Sequence, residues 1–334
     1  MNAKPLPRSS RSPAVRVILG LVTFVLRSSR STAVRLFLIV GVYALVMSIA
    51  SPVFGRMVTA KIMLLSLSVN AIIACGMAIL LISGGFDLSV GSVLGLSGMV
   101  AALGMKFGFP FYVACLLGLL AGAGVGSFNG FVIARLRINP FITTLGSMIA
   151  LRGLVKVIGG SGISGFPPAF KWLGQGLVVN VQMPIIFCLV IVAVGEFLLR
   201  KSRFLRQNFY IGGNERSAIL SGIPVVRIKM FNYILSGVLA AFAGLLITAR
   251  LGYASVTAGE GVELQVVTAV IIGGASLSGG KGSILGAFLG TVLMFMIVTS
   301  INLLGVRADW HDFVVGGVLL TAVIVDNIGR RGTE

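Results

Sequence analysis

The segment 84–92, GGFDLSVGS, holds the residues whose types and spacing could best do chemistry. Two glycines, Gly84 and Gly85, can end a helix because glycine adopts positive φ at little cost. Asp87 can then cap the next helix through a backbone N–H of its first turn, with Ser89 beside it. A capped helix break explains this pattern, but a carboxylate inside a membrane is costly and therefore marks a candidate site. The two interpretations are compatible.

Amide and hydroxyl side chains recur within the apolar stretches of the chain and could hydrogen-bond a polar, uncharged solute. Hydrogen bonds between neighbouring helices would explain the same residues. Together with Asp87 and Ser89, the candidates for a solute path are Asn70, Asn129, Thr143, Thr144 and Gln265.

The basic segment 200–229 contains the pattern of a short, capped helix. Asn214 can cap a helix over 215–221, whose acidic first residue suits the positive end of the helix dipole. Gly222 then ends this helix, and Pro224 prevents its continuation.

A helix of two turns is too short to be stable in water by itself, so this one needs a surface to pack against. Its apolar residues are Ala218, Ile219 and Leu220, and basic residues flank it. A groove on a partner protein would supply that surface, and so would a lipid bilayer.

Other reactive residue types favour structural roles. Glu260 and Glu263 precede an apolar stretch and could cap its helix or meet a soluble partner, with capping favoured for Glu263. His311, the one histidine, stands beside Trp310, which is typical of an interfacial anchor. The three cysteines lie in apolar stretches without a CxxC pair, which favours core positions.

Motifs of enzymes and nucleotide-binding proteins are missing from the sequence. It contains no HExxH, no GxSxG and no Walker loop, because GGKGS at 279–283 lacks the upstream glycine at the required spacing. We therefore expect neither an enzyme nor a chain that binds a nucleotide, metal or other cofactor itself.

Membrane helices are the elements that must position these residues. Hydrophobic residues make up 57% of the 334 residues and charged residues 11%, whereas a soluble domain carries about 25% charged residues. Uncharged runs long enough to cross a bilayer recur along the chain. The net charge of +18 comes from short basic segments between these runs, so we expect no nucleic-acid binding.

We predict an all-α polytopic membrane protein with about ten transmembrane helices. The third and eighth are short and glycine-rich, so they are candidates for broken or re-entrant helices. A further apolar stretch at 15–26 is too short to span and favours a helix in the interface. The predicted spans are 34–50, 62–82, 88–104, 111–131, 140–158, 183–199, 231–251, 264–277, 283–304 and 313–328.

Charge fixes the orientation. With both termini cytoplasmic, 19 of the 27 Lys and Arg residues lie inside and eight outside, in agreement with the positive-inside rule. The resulting organisation is a basic N-terminal segment at 1–33, a membrane domain at 34–328 and a cytoplasmic tail at 329–334.

A weak internal repeat joins the two halves. The glycines of 84–89, GGFDLS, align with Gly273 and Gly274 of 273–278, GGASLS, and 91–95 then echoes 282–286. Glycine-interrupted segments in two halves of a transporter indicate a pathway between them, although chance similarity between glycine-rich helices would look the same.

Four segments, in order along the chain, resemble the permease subunits of ABC-type importers of the ribose/xylose/galactose class. They are GGFDLSVGS at 84–92, NGFVIARLRINPFITTLGSM at 129–148, YIGGNERSAILSGIP at 210–224, and GEGVELQVVTAVIIGGASLSGGKGS at 259–283. The resemblance covers nearly the whole chain from about 35 to 325.

The resemblance implies a role for each part. It places the coupling helix, which contacts the ATP-binding subunit, on 213–222, with Gly213, Asn214, Glu215, Ala218, Leu220 and Gly222 as its candidate residues. It further implies a second permease subunit, identical or related, a sugar-binding protein outside, and a bacterial inner-membrane location. We therefore expect ATP-driven import of a monosaccharide by alternating access. The alternative is a carrier or channel that works alone.

Overall fold

The computed structural model describes residues 32–307 and 310–331, and helices dominate this part of the chain. In chain order they are α1 (Thr32–Ala50), α2 (Met57–Ile82), α3 (Val90–Lys106), α4 (Phe111–Gly130, followed by a π-helical turn Phe131–Arg135), α5 (Pro140–Gly159), α6 (Pro168–Gln175), α7 (Met183–Lys201), α8 (Arg203–Gly213), α9 (Glu215–Leu220), α10 (Val225–Leu251), α11 (Val262–Ile272), α12 (Ile284–Leu303) and α13 (Trp310–Arg331).

Short strands are confined to the connections. Strand β1 (Ile163–Ser164) pairs antiparallel with β4 (Tyr253–Ala254), and β2 (Leu177–Val178) pairs antiparallel with β3 (Val181–Gln182). The all-α class predicted from the sequence is confirmed.

Each predicted span coincides with a helix, but the helices differ in length. Within the described residues, seven are long and apolar enough to cross a membrane, namely α1, α2, α4, α5, α7, α10 and α12. The helices α3, α11 and the apolar part of α13 are shorter. The third and eighth predicted spans are therefore short as expected, whereas the count of ten and the side of each terminus stay predictions.

The helix α2 forms the centre of the bundle. Its residues 67–82 are all buried, and it packs against α7, α10, α11 and α12. The helices α4 and α10 approach closely beside it because Gly122 and Gly237 face each other, and a Cβ on either would overlap the other's carbonyl. Small residues at a crossing let two helix backbones meet in this way.

The segment 200–229 departs from the sequence prediction. It does not hold an isolated helix, because α8 ends one residue before Asn214 and α10 already begins at Val225. Leu205 and Ile211 lie on the buried face of α8. The basic residues of this short amphipathic helix lower its mean hydropathy, so hydropathy alone predicts a loop.

Two predictions concern residues that the structure does not describe. The interfacial helix expected at 15–26 lies outside the described residues, and so does most of the predicted segment 1–33. The side chain of His311 also lies outside the description, although its backbone belongs to α13.

The internal repeat extends to the structure with a shift of one residue. The helices α2 and α11 end in the same motif, with positive φ at Gly84 (+73°) and at Gly274 (+90°) rather than at Gly273. In both, the residue after this glycine donates its N–H to a carbonyl five residues earlier. Gly85 donates to Leu80 at 2.8 Å, and Ala275 donates to Val270 at 3.1 Å. The second half of the repeat does not correspond, because 91–95 lies inside α3 whereas 282–283 precedes α12.

Candidate functional site

The helix α9 is capped at both ends by the predicted residues. Asn214 Oδ1 accepts a hydrogen bond from the N–H of Ser217 at 2.9 Å. Gly222 adopts a φ of +77°. The N–H of Ile223 then donates to the carbonyl of Ala218 at 3.1 Å, as in a Schellman motif. The capping prediction is confirmed, and the helix ends at Leu220, one residue earlier than predicted.

The apolar side chains of α9 point in two directions. Ala218 is only 3% exposed, whereas Ile219 is 53% exposed and Leu220 is 86% exposed. The predicted apolar surface is therefore correct for Ile219 and Leu220 and wrong for Ala218, which anchors α9 to its own chain. The residues packed around Ala218 are Ile211, Ile223, Val225 and Ile228.

An ion pair also fixes α9 to the start of α10. Lys229 Nζ lies 2.6 Å from Glu215 Oε2, and the lysine is largely buried while the carboxylate is half exposed. Glu215 is the first residue of α9, where its charge also suits the helix dipole. The cap, the buried Ala218 and this pair hold α8, α9 and α10 together as one corner, which we call the α8–α10 corner.

A groove of about 960 Å3 runs beside the α8–α10 corner. Its other wall is the turn between α4 and α5, where Arg137 takes a positive φ of +60°. The groove is lined by basic residues from both walls, so the exposed Ile219 is framed by cations. The basic residues are Arg135, Arg137, Arg216, Arg227 and Lys229. Sequence reasoning missed the contribution of the α4–α5 turn, because only the fold brings it to α9.

Asp87 belongs to a buried chain of hydrogen bonds. Ser89 Oγ donates to Asp87 Oδ1 at 2.6 Å, and Asn129 Nδ2 donates to Ser89 Oγ at 3.0 Å. Ser147 Oγ of α5 completes the chain by donating to Asn129 Oδ1 at 2.6 Å. Asp87, Ser89 and Asn129 are each at most 1% exposed. The structure therefore unites three of the predicted path residues and adds Ser147, which sequence reasoning missed.

The capping role predicted for Asp87 is corrected by this geometry. Its Oδ1 accepts from the N–H of Ser89 at 2.8 Å, but Ser89 is the residue before α3 rather than part of its first turn. Asp87 thus shapes the turn that leads into α3. Tyr233 of α10 holds the same turn, since its hydroxyl donates to the carbonyl of Phe86 at 3.1 Å.

A second polar cluster lies between α2, α11 and α12. Asn70 Nδ2 donates to Gln265 Oε1 at 3.0 Å, so the fold joins two more of the predicted path residues. Both border a cavity of about 210 Å3, whose lining also includes the hydroxyl-bearing Thr291. Thr291 Oγ1 donates to the carbonyl of Ala287 in its own helix at 2.9 Å, so the arrangement presents chiefly the amides of Asn70 and Gln265 to this small internal space.

Thr143 and Thr144 join neither cluster. Each hydroxyl donates to a carbonyl of the preceding turn, Thr143 Oγ1 to Asn139 at 3.1 Å and Thr144 Oγ1 to Pro140 at 2.8 Å. Thr144 is fully buried, whereas Thr143 borders an apolar groove of about 790 Å3 between α4 and α5. Hydroxyls satisfied by their own helix give these two residues the weaker geometry for contact with a solute.

Glu263 forms a buried ion pair instead of the predicted cap. Arg152 Nη2 of α5 lies 2.6 Å from Glu263 Oε1, and the Glu263 side chain is only 6% exposed. No side-chain hydrogen bond caps α11 within the described residues, although Glu263 does stand in its first turn. Beside this pair, Lys156 Nζ of α5 lies 3.7 Å from Glu260 Oε1, and both of these side chains are exposed. Two ion pairs therefore connect α5 to the segment that enters α11.

In the part of the chain that is described, no group of three His, Cys, Asp or Glu side chains comes together. The three cysteines are free thiols. The geometry offers two clusters of amide and hydroxyl groups inside a helical bundle, one of them including Asp87, and an anchored helix with an exposed apolar end.

Comparison with known proteins matches this chain to permease proteins of transport systems. Residues 59–323 match the family described as the permease component of branched-chain amino acid transport systems. The ribose import permease protein RbsC of Bacillus subtilis (strain 168) is 38% identical over 288 residues, covering 85% of this chain and 89% of the relative.

Two relatives from Escherichia coli (strain K12) are similar over slightly less of the chain. The ribose import permease protein RbsC is 40% identical over 265 residues, 78% of this chain and 83% of the relative. The D-allose transport system permease protein AlsC is 37% identical over 263 residues, 78% of this chain and 81% of the relative. No solved structure gives a significant match.

Proposed function

Because this chain belongs to the family of transport-system permease components, we propose that it is the membrane subunit of an ATP-driven importer for a monosaccharide. ATP hydrolysis is supplied by a separate cytoplasmic subunit, and the sugar is delivered by a binding protein on the opposite side. A second permease subunit, either identical or related, completes the path across a bacterial inner membrane.

One observation carries the proposal, namely the exposed end of α9 on the α8–α10 corner. Leu220 is 86% exposed, yet both ends of its helix are capped and Ala218 anchors the helix within the chain. An isolated six-residue helix would be only marginally stable in water. The cap and the packing of Ala218 therefore hold α9 folded with Leu220 exposed, although the chain itself does not bury this side chain. A partner with an apolar groove and an acidic rim fits the exposed Leu220 and Ile219 and the cations of the groove that Ile219 lines.

The polar clusters support a sugar as the solute. The amides of Asn70 and Gln265 meet at a small cavity, and a chain of amide and hydroxyl groups surrounds Asp87. Such groups can exchange hydrogen bonds with each other for hydrogen bonds to sugar hydroxyls. The relatives named for ribose and allose import support the same solute class.

Cross-linking from α9 tests the proposed partner. A cysteine at Leu220 carries a photoactivatable probe into the apolar groove of the ATP-binding subunit, whereas a cysteine at Ala218 remains buried and serves as the matched control. We expect the Leu220→Cys variant to capture the ATP-binding subunit in native vesicles and the Ala218→Cys variant to capture much less. Labelling of lipid alone from Leu220 would contradict the proposal.

Replacement of the helix tests the consequence. When a flexible glycine–serine linker replaces 213–221, we expect the chain to insert normally but ATP hydrolysis to be uncoupled from sugar uptake. Normal accumulation of sugar in this variant would refute the coupling role of α9.

A further inference from the structure

Gly212, the last residue but one of α8, lies where three backbone segments meet. The carbonyl of Ile82, at the end of α2, accepts a hydrogen bond from the N–H of Gly280 at 2.9 Å. A Cβ at Gly212 would overlap both the Ile82 oxygen and the Gly280 nitrogen. Only glycine therefore lets α8 pack directly on this hydrogen bond.

This junction touches two connections between helices, one between α2 and α3 and one between α11 and α12. Ile82 immediately precedes the break between α2 and α3, and Gly280 lies within the break between α11 and α12. Gly279 and Gly280 adopt φ of +85° and +74°, and a Cβ at either would press against the backbone of 212–213. The end of α8 is thus the place where the two breaks come together.

Buried amides tie α8 to the end of α2 independently of the glycines. Asn208 Oδ1, one turn before Gly212, accepts from Asn232 Nδ2 of α10 at 2.7 Å. The same nitrogen lies 3.2 Å from the hydroxyl oxygen of Ser83, the residue that follows α2. Asn208 and Asn232 are 0% and 1% exposed, so these bonds are shielded from water.

We propose that Gly212 is the positioning residue that passes a displacement of α9 to both helix breaks, an inference that rests on the proposed coupling function. The helix α9 follows α8 after the single residue Asn214, so a pull on α9 moves α8. Close-packed backbones do not absorb such a movement by deformation. The movement therefore displaces Ile82 and Gly280 together and changes the shape of both breaks.

A glycine of α5 provides a matched control. Apart from its chain neighbours and the backbone of its own helix, no atom of the described residues lies within 4 Å of a Cβ built at Gly153. Gly212→Ala and Gly153→Ala therefore add the same methyl group within a helix. Only the first pushes α8 away from the two breaks.

The test compares these variants in the assembled importer in native vesicles. We expect Gly212→Ala to keep the ATP-binding subunit bound and to hydrolyse ATP, but to take up about tenfold less ribose per ATP hydrolysed. Gly153→Ala should match the wild type in all three measurements. The inference is overturned if the two variants couple equally well, or if Gly212→Ala lowers hydrolysis and uptake in the same proportion.

A distance measurement keeps the inference testable if Gly212→Ala does not assemble. In a chain with the native cysteines replaced, spin labels are placed at three exposed positions, Leu220 on α9, Leu277 in the second break and Phe107 after α3. On trapping with ATP and vanadate, we expect the 220–277 distance to change much less than the 220–107 distance. Equal changes would show that α9 and the second break do not move together.

Different results would refute the proposed transport function and the role of Gly212. If the wild-type assembly takes up neither ribose nor another monosaccharide with ATP, the proposed function is wrong whatever Gly212 does. If the wild type is coupled and Gly212→Ala is coupled equally well, only the role of Gly212 is wrong.

Discussion

Removal of the cap at Asn214 should loosen α9 by an amount that the structure allows us to work out. Asn214 is exposed, so its replacement by alanine leaves no cavity and removes mainly the 2.9 Å hydrogen bond to the N–H of Ser217. Loss of such a cap costs about 1 kcal/mol. Since about 1.4 kcal/mol corresponds to a factor of ten, the local opening of α9 should become about fivefold more frequent.

Hydrogen exchange measured by mass spectrometry reports this opening. The amides of 221–223 donate to carbonyls within α9, so a peptide that covers them follows the helix directly. We expect them to exchange about fivefold faster in Asn214→Ala. Glycine at an N-cap costs only a few tenths of a kcal/mol, so Asn214→Gly should remain close to the wild type. Unchanged exchange in Asn214→Ala, or equal acceleration in both variants, would refute the reasoning.

Two further predictions concern buried polar contacts. Glu263→Ala leaves Arg152 without its partner and should lower the free energy of unfolding by about 3 kcal/mol. The loss should be smaller in the double variant with Arg152→Ala, because no unpaired charge then remains. Thermal unfolding in detergent measures both losses, and additive losses from the two substitutions would contradict this prediction. Asn129→Ala leaves Ser147 without its acceptor and should cost about 1–3 kcal/mol, whereas Ser127→Ala, which breaks only a bond within α4, should be nearly neutral in the same assay.

Features with a local cause could be predicted from the sequence. Asn214 and Gly222 act on residues within a single helical turn of themselves, so their pattern carries enough information to place α9. Gly84 likewise ends α2 through its own conformational freedom. The apolar runs predicted the spans for a similar reason, because the residues of one span share the same apolar membrane environment.

Features that depend on distant residues could not be predicted. Ser147 meets Asn129 across 18 positions, and Arg152 meets Glu263 across 111. Nothing in either segment signals its partner, since the pairing is set by how α5 packs in the bundle. The burial of Ala218 had the same origin, because hydropathy marks it as apolar without saying whether its own chain or a partner covers it.

Transport by a reconstituted system tests the central claim most directly. Liposomes are prepared with this chain alone or with its ATP-binding subunit, ATP is enclosed on the cytoplasmic side, and a radiolabelled monosaccharide is offered with its binding protein outside. We predict accumulation of this sugar only when both the ATP-binding subunit and ATP are present. Accumulation by the chain alone, driven by a proton or sodium gradient, would contradict it.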